Sequence, residues 1–190
     1  TDEATAINLT HHGYFNLAPE GGTIRNHVHR MPASYYLEQD DNFVVTGNKI
    51  PVEGTKFDFL ALKEICKDWD RKVGYDQTFV LDKQYGELTL ASETTEHNSG
   101  LKLSIYTTEP VAHFYTAKYL QVSNGKLGRT YGNSEAFCVE TQHHPNGINI
   151  PEFPSTILQP GETYKQTTIY KVEHQYIKQF SAKPGFWFFA

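Results

Sequence analysis

Methionine occurs once and cysteine twice in the 190 residues, and there is neither a basic cluster nor a long apolar run. Each scarcity removes a class of protein. Two cysteines, Cys66 and Cys138, cannot build the multi-bridge framework of a small secreted domain, so a cytosolic protein with reduced thiols is the expectation. The most apolar stretch, Phe186-Trp187-Phe188-Phe189-Ala190, is far shorter than the roughly 20 residues a membrane-spanning helix needs, so no membrane is expected as a partner. Seventeen Lys and Arg stand against 22 Asp and Glu, for a net charge of −5. Without concentrated positive charge to neutralise phosphates, nucleic acid is not an expected partner either. The first residues lack the basic, apolar and small-residue pattern of a secretory signal, which points the same way as the thiols: cytoplasmic.

Cofactor signatures are missing as well. The chain has no Gly-x-Gly-x-x-Gly, no phosphate-cradling Gly-Lys-Ser/Thr, no Cys-x-x-Cys and no Gly-x-Ser-x-Gly nucleophile elbow. No cofactor is expected. Chemistry has to rest on histidines and carboxylates.

What the chain has in quantity is aromatic. Twelve Phe, twelve Tyr and two Trp favour pleated sheet over helical bundles, because flat side chains pack well on a pleated surface. Aromatic faces also pack against the C–H groups of sugars, so the same composition admits carbohydrate binding beside plain core filling. Strand-like segments recur at 5–11, 13–17, 25–31, 43–46, 78–81, 87–92, 101–107, 112–116, 119–122, 136–142 and 164–172. Turn pairs such as Gly21-Gly22, Asn124-Gly125 and Pro160-Gly161 punctuate them. Leu101-Lys102-Leu103-Ser104-Ile105-Tyr106 alternates strictly, as a strand with one buried face should. Helical character is confined to 60–70, around Leu60, Leu62, Ile65 and Cys66. Many short strands and almost no helix predict an all-β antiparallel sandwich or barrel. Between Tyr131 and Tyr170 four prolines (145, 151, 154 and 160) forbid a run of central strands and predict a long, functional loop.

Three histidine pairs stand out: His11-His12, His27-x-His29 and His143-His144. Neighbours on an extended chain point to opposite sides, so only one of His11 and His12 can face a given pocket. His27 and His29 share a side, which admits a metal. With no third ligand at a telling spacing, a solvated strand face beside Arg25 and Arg30 is the reading, and no metal site is expected. His143 and His144 read as turn residues bonded to nearby backbone, or as part of a site. Glu140, flanked by apolar residues in Phe137-Cys138-Val139-Glu140-Thr141-Gln142, is either an outward-facing carboxylate or a desolvated one with a raised pKa suited to a general base. Asp76 in Gly74-Tyr75-Asp76-Gln77 reads locally as a turn-former.

Five blocks, in order, resemble the aldose 1-epimerases, or galactose mutarotases. Asn8-Leu9-Thr10-His11-His12-Gly13-Tyr14-Phe15-Asn16-Leu17 is similar to the family's Asn-Leu-Thr-Asn-His-Ser-Tyr-Phe-Asn-Leu. Pro51-Val52-Glu53-Gly54-Thr55-Lys56-Phe57-Asp58-Phe59 and Gly74-Tyr75-Asp76-Gln77-Thr78-Phe79-Val80-Leu81 follow. Glu140-Thr141-Gln142-His143-His144-Pro145, then Phe153-Pro154-Ser155 with Leu158-x-Pro160-Gly161-Glu162-x-Tyr164, complete the likeness. The resemblance implies a large antiparallel β-sandwich and an isomerase of carbohydrate metabolism. Its cofactor-free reaction would interconvert the α and β anomers of free aldohexoses such as galactose and glucose. It implies His12 as the acid that protonates the ring oxygen and Glu140 as the base at the anomeric hydroxyl. Asp76, His113 and Gln142 are implied as substrate-binding residues.

Two positions depart from the pattern. His113, in Glu109-Pro110-Val111-Ala112-His113-Phe114-Tyr115-Thr116, stands where the family usually has Gln, and His11 replaces Asn. The likeness also begins where the second half of the family's sequence begins. Residues 1–172 are therefore expected to be the C-terminal portion of a mutarotase-like sandwich, incomplete at its N-terminus, with 173–190 an extension of unassigned role. The missing portion, or a second copy of this chain, is the expected partner besides a free hexose. The rival expectation is a non-catalytic sugar-binding or regulatory module that keeps the fold.

Overall fold

Alternation brings Leu103 and Ile105 inward and makes 101–107 a strand, and the same rule operates along most of the chain. The computed structural model describes residues 1–70 and 72–174. In chain order the strands are β1 (Thr5–Ala6), β2 (Val28–Arg30), β3 (Tyr35–Gln39), β4 (Val45–Pro51), β5 (Lys63–Glu64) and β6 (Asp76–Val80), followed by β7 (Thr89–Thr95), β8 (Leu101–Thr107), β9 (Val111–Tyr115), β10 (Cys138–Gln142), β11 (Ile157–Leu158) and β12 (Thr168–His174). Among the described residues helical structure is limited to two 3₁₀ turns, at Lys126–Gly128 and Gly147–Asn149.

Ten of the strands form two five-stranded antiparallel sheets, ordered β10-β9-β6-β3-β4 and β12-β8-β7-β2-β5, while β1 pairs with β11. Phe79, Ala112, Phe114 and Val139 from the first sheet share one core with Ala91, Leu103 and Ile105 from the second. That is a sandwich. Aromatic rings fill it: Phe114 stacks on His29 of the opposite sheet at 4.3 Å and meets Phe59 edge-on at 5.6 Å. A second core of Leu37, Val45 and Val111 with Ile150 and Phe153 lets the proline-rich loop pack onto the first sheet.

Several segments differ from expectation. The stretch 60–70 is not a helix: it holds β5 and turns, and Ile65 is fully buried with its N–H bonded to the His27 carbonyl. A helix this short is marginal by itself, and sheet edge offers Ile65 more burial. The stretches 13–17 and 119–122 shrink to single bridges, Phe15 to Phe137 and Val122 to Tyr131. Strand β3 was not expected, because Tyr35-Tyr36-Leu37-Glu38-Gln39 lacks clean alternation. Strand β12 continues through 173–174, and the aromatic stretch 186–189 lies outside the described residues.

Gly74 shows how tightly the entry to β6 is built. Its φ of +62° is left-handed, and an added Cβ would meet Thr116 Oγ1 at 2.5 Å. That hydroxyl is occupied, accepting the Tyr75 N–H at 2.8 Å and donating to the Tyr75 carbonyl at 3.2 Å. Gly74→Ala is expected to lower stability by about 1–3 kcal/mol, read from denaturant midpoints.

Candidate active site

Strands β6, β9 and β10 lie side by side in a register that sets Thr78, His113 and Glu140 in one row across the sheet. Period two then puts Asp76, Tyr115 and Gln142 on the same side, while Phe79, Phe114 and Val139 face the core. The polar row floors an open cleft of about 500 Å³, a size suited to a small ligand. Tyr14, Phe43, Tyr115 and Tyr119 supply aromatic walls, and Pro145 of the proline-rich loop closes one side.

His12 reaches this floor because the chain from 8 to 15 runs antiparallel to the segment 137–143. Asn8 clamps the far end: its Oδ1 accepts the His143 N–H at 2.9 Å and its Nδ2 donates to the His143 carbonyl at 3.1 Å. Thr10 Oγ1 donates to the Thr141 carbonyl at 3.1 Å. Phe15 and Phe137 exchange both backbone hydrogen bonds at 2.8 and 2.9 Å. Between these ties His12 turns into the cleft, its Nε2 standing 3.4 Å from Glu140 Oε1. His11 points the other way, its Nδ1 3.1 Å from the Tyr170 hydroxyl.

The pair is unequal in exposure. The side chain of His12 is 48% exposed and that of Glu140 11%. Burial pushes the Glu140 carboxyl above the usual carboxylate range; His113 and His12 pull it back, and Asp76 pushes it further up. Beneath them Cys138 is fully buried, and burial together with Glu140 pushes its thiol up to about 12. Burial also raises Tyr14 and Tyr115, which keeps both as phenol donors at neutral pH.

His113 uses both of its ring nitrogens. Nε2 lies 2.8 Å from Asp76 Oδ1 and Nδ1 lies 2.8 Å from Thr78 Oγ1. Because the carboxylate accepts only, Nε2 carries the hydrogen and donates to Asp76, and in the neutral ring Nδ1 accepts from Thr78. Asp76 is therefore a held, partly exposed acceptor in the cleft rather than a mere turn-former.

Other histidines go elsewhere. His27 and His29 do not lie on a solvated strand face: both are buried, because the inner side of β2 faces the aromatic core. His27 Nε2 accepts the Leu17 N–H at 3.0 Å, and His29 Nδ1 meets Thr94 Oγ1 at 2.8 Å. Burial drives their pKa values down to about 4 and about 3, so both rings are neutral. Nor are His143 and His144 simple turn residues. His143 Nδ1 donates to the buried Glu109 at 2.6 Å, and its Nε2 accepts from the Tyr85 hydroxyl at 2.7 Å. His144 stacks on Phe153 at 4.1 Å and is lowered by burial to about 4. Sequence reasoning missed Thr78 and Tyr115, although each lies two residues from an expected site residue, Asp76 and His113, on the same strand face. Tyr119 and Phe43 come from turns and carried no signal.

Against solved structures, this antiparallel sandwich superposes on the aldose epimerase homologue of C. elegans with a TM-score of 0.82 and 31% identity, over 90% of this chain and 53% of that one. The galactose 1-epimerase of Lactobacillus acidophilus gives 0.74 at 24% identity, a likeness of fold. The family model for aldose 1-epimerase matches residues 1–171, and the chain belongs to that family. Among curated relatives, it is 39% identical over 173 residues to the galactose mutarotase of Rattus norvegicus and 32% over 178 residues to the aldose 1-epimerase of Escherichia coli K12. Those alignments take in 89% and 90% of this chain. The chain spans about half the length of the curated relatives it matches, 50% and 51% of these two. Among the described residues no helix is long and apolar enough to cross a membrane.

Proposed function

We propose that the cleft catalyses the interconversion of α and β anomers of a free aldohexose, with His12 as acid and Glu140 as base. One observation carries the reading: an imidazole and a desolvated carboxylate meet at 3.4 Å in an aromatic-walled cleft. The ring oxygen and the anomeric oxygen of a pyranose share one carbon, so an acid and a base serving both must stand close together. Glu140 takes the anomeric hydroxyl proton as the bond from C1 to the ring oxygen breaks. The bonding electrons go to the ring oxygen, which takes its proton from His12. C1 becomes the carbonyl of the open-chain sugar. After rotation about C1–C2 the ring oxygen attacks the other face, returns its proton to His12, and Glu140 reprotonates the new anomeric oxygen. Both groups end as they began, and paired transfer avoids a charged intermediate.

Asp76 and Gln142 accept and donate hydrogen bonds to the sugar hydroxyls, and the tyrosine walls receive its C–H faces. His113 acts on the sugar through Asp76, since both its nitrogens are engaged. His113→Ala is expected to raise KM about tenfold, the worth of one hydrogen bond to a charged group, with a smaller effect on kcat. His113→Gln should recover most of it. The two free thiols, Cys66 and Cys138, support a cytoplasmic location.

The test is polarimetry of freshly dissolved α-galactose with catalytic amounts of the chain. Faster decay to the equilibrium rotation supports the reading, within one chain or between copies. A folded sample that binds galactose without acceleration makes the cleft a binding site only. A sample that does neither places the activity with the portion of the relatives that this chain does not cover.

A further inference from the structure

The residue beneath the His12–Glu140 pair takes no part in that chemistry. Cys138 precedes Glu140 by two positions on β10 and so lies on the same side of the sheet. A ligand atom from each of His12, Cys138 and Glu140 lies within 4.8 Å of the other two. We propose that these three residues form a Zn²⁺ site at the floor of the cleft, and that the ion and a sugar exclude one another there.

The donor set is one imidazole, one thiol and one carboxylate. Zn²⁺ takes all three, whereas Mg²⁺ and Ca²⁺ require oxygen donors throughout. The spacing fits. Two nitrogen or oxygen ligands, each about 2.0–2.2 Å from a tetrahedral metal, stand roughly 3.4 Å apart. His12 Nε2 and Glu140 Oε1 stand 3.4 Å apart. The sulfur must approach from within 4.8 Å, a motion of about 1 Å shared between Cys138 and the half-exposed His12 ring. The fourth position opens into the cleft, where water completes the tetrahedron. Binding displaces the thiol proton to solvent, so one proton leaves per ion bound at that sulfur. Because two of its three ligands line the sugar cleft, the ion regulates access to that cleft.

The site stands on its ligands whether or not the cleft turns over sugar, so the primary reading is of the metal. Co²⁺ serves as the spectroscopic probe, added to the full chain after chelator treatment. A thiolate-to-cobalt charge-transfer band in the near ultraviolet is expected, abolished by one equivalent of Zn²⁺ and untouched by excess Mg²⁺. Cys138→Ser should remove the band and weaken Zn²⁺ about 100-fold, while Cys66→Ser leaves both unchanged. If Cys138→Ser fails to fold, His12→Asn at a half-exposed position carries the test and should weaken Zn²⁺ at least about tenfold. Saturating galactose should raise the apparent Zn²⁺ dissociation constant of the wild-type chain. No charge-transfer band in the wild type, a band that survives in folded Cys138→Ser, or Zn²⁺ affinity unchanged in His12→Asn overturns the proposal.

Discussion

His12→Asn and Glu140→Gln are each expected to slow anomerisation by about 10²–10⁴-fold at neutral pH, the range over which a positioned acid or base accelerates a reaction. Asn and Gln keep the size and polarity of the originals, so sugar binding should change much less than kcat. Stability offers a separate control. Glu140 sits in a place that disfavours its charge, as the upward push on its carboxyl shows. Removing that charge relieves a desolvation cost, so Glu140→Gln should melt no lower than the wild type. Under the proposed mechanism acid and base work in one step, so the double variant is expected to be scarcely slower than the worse single one. Polarimetry of α-galactose gives the rates and thermal denaturation the stability. Wild-type rates in both variants would sink the assignment of acid and base.

Lowering the pH from 7 to 5 is expected to remove about 6 kcal/mol of folding stability, a large share of the roughly 5–15 kcal/mol typical of a folded domain. The cause lies in three buried histidines. In the folded protein His27 and His144 are held down to about 4 and His29 to about 3, all by burial, against 6.5 in the unfolded chain. Well above pH 6.5 all three are neutral in both states and contribute nothing to the pH dependence. Below it the unfolded chain takes up protons that the folded one refuses, so stability falls with pH. The fall continues until the folded rings titrate, near 4 and then 3. At pH 5 each ring accounts for about 2 kcal/mol. Paired carboxylates lose their effect only at lower pH, so an onset between pH 6.5 and 5 distinguishes the histidines. Urea midpoints measured across this range give the slope, and NMR of the ring protons identifies the residues. Stability at pH 5 within 1 kcal/mol of that at pH 7, or buried rings titrating near 6.5, would contradict the account.

Glu140 and Asp76 show how far local pattern reaches. For Glu140 alternation left two faces open, and only the pairing of β10 with β9, and of β9 with β6, put it in one row with His113 and Thr78 on the cleft side. Asp76 looked like a turn-former because Gly74 does make a left-handed turn there, but β6 begins at Asp76 itself. His29 went the other way. Its neighbours Arg25 and Arg30 read as a wet surface, whereas the facing ring of Phe114 makes that side of β2 the interior. Neighbours along the chain say little about the opposite sheet.

By itself the sequence determined the class of the protein. Period-two alternation, turn residues and aromatic abundance act over a few positions, which is why all-β structure and β7 to β10 could be read directly, while the five blocks carried a family resemblance. Tertiary structure decided everything that depends on two distant segments meeting. The antiparallel clamp through Asn8, Thr10 and Phe15 sets His12 against Glu140, and the two-sheet core buries His27 and His29. The physical reason is one of range. A side chain's preference for its own face is local, but its partner is chosen by which strands pair and which faces close on each other, and those contacts gain free energy only in the assembled sandwich.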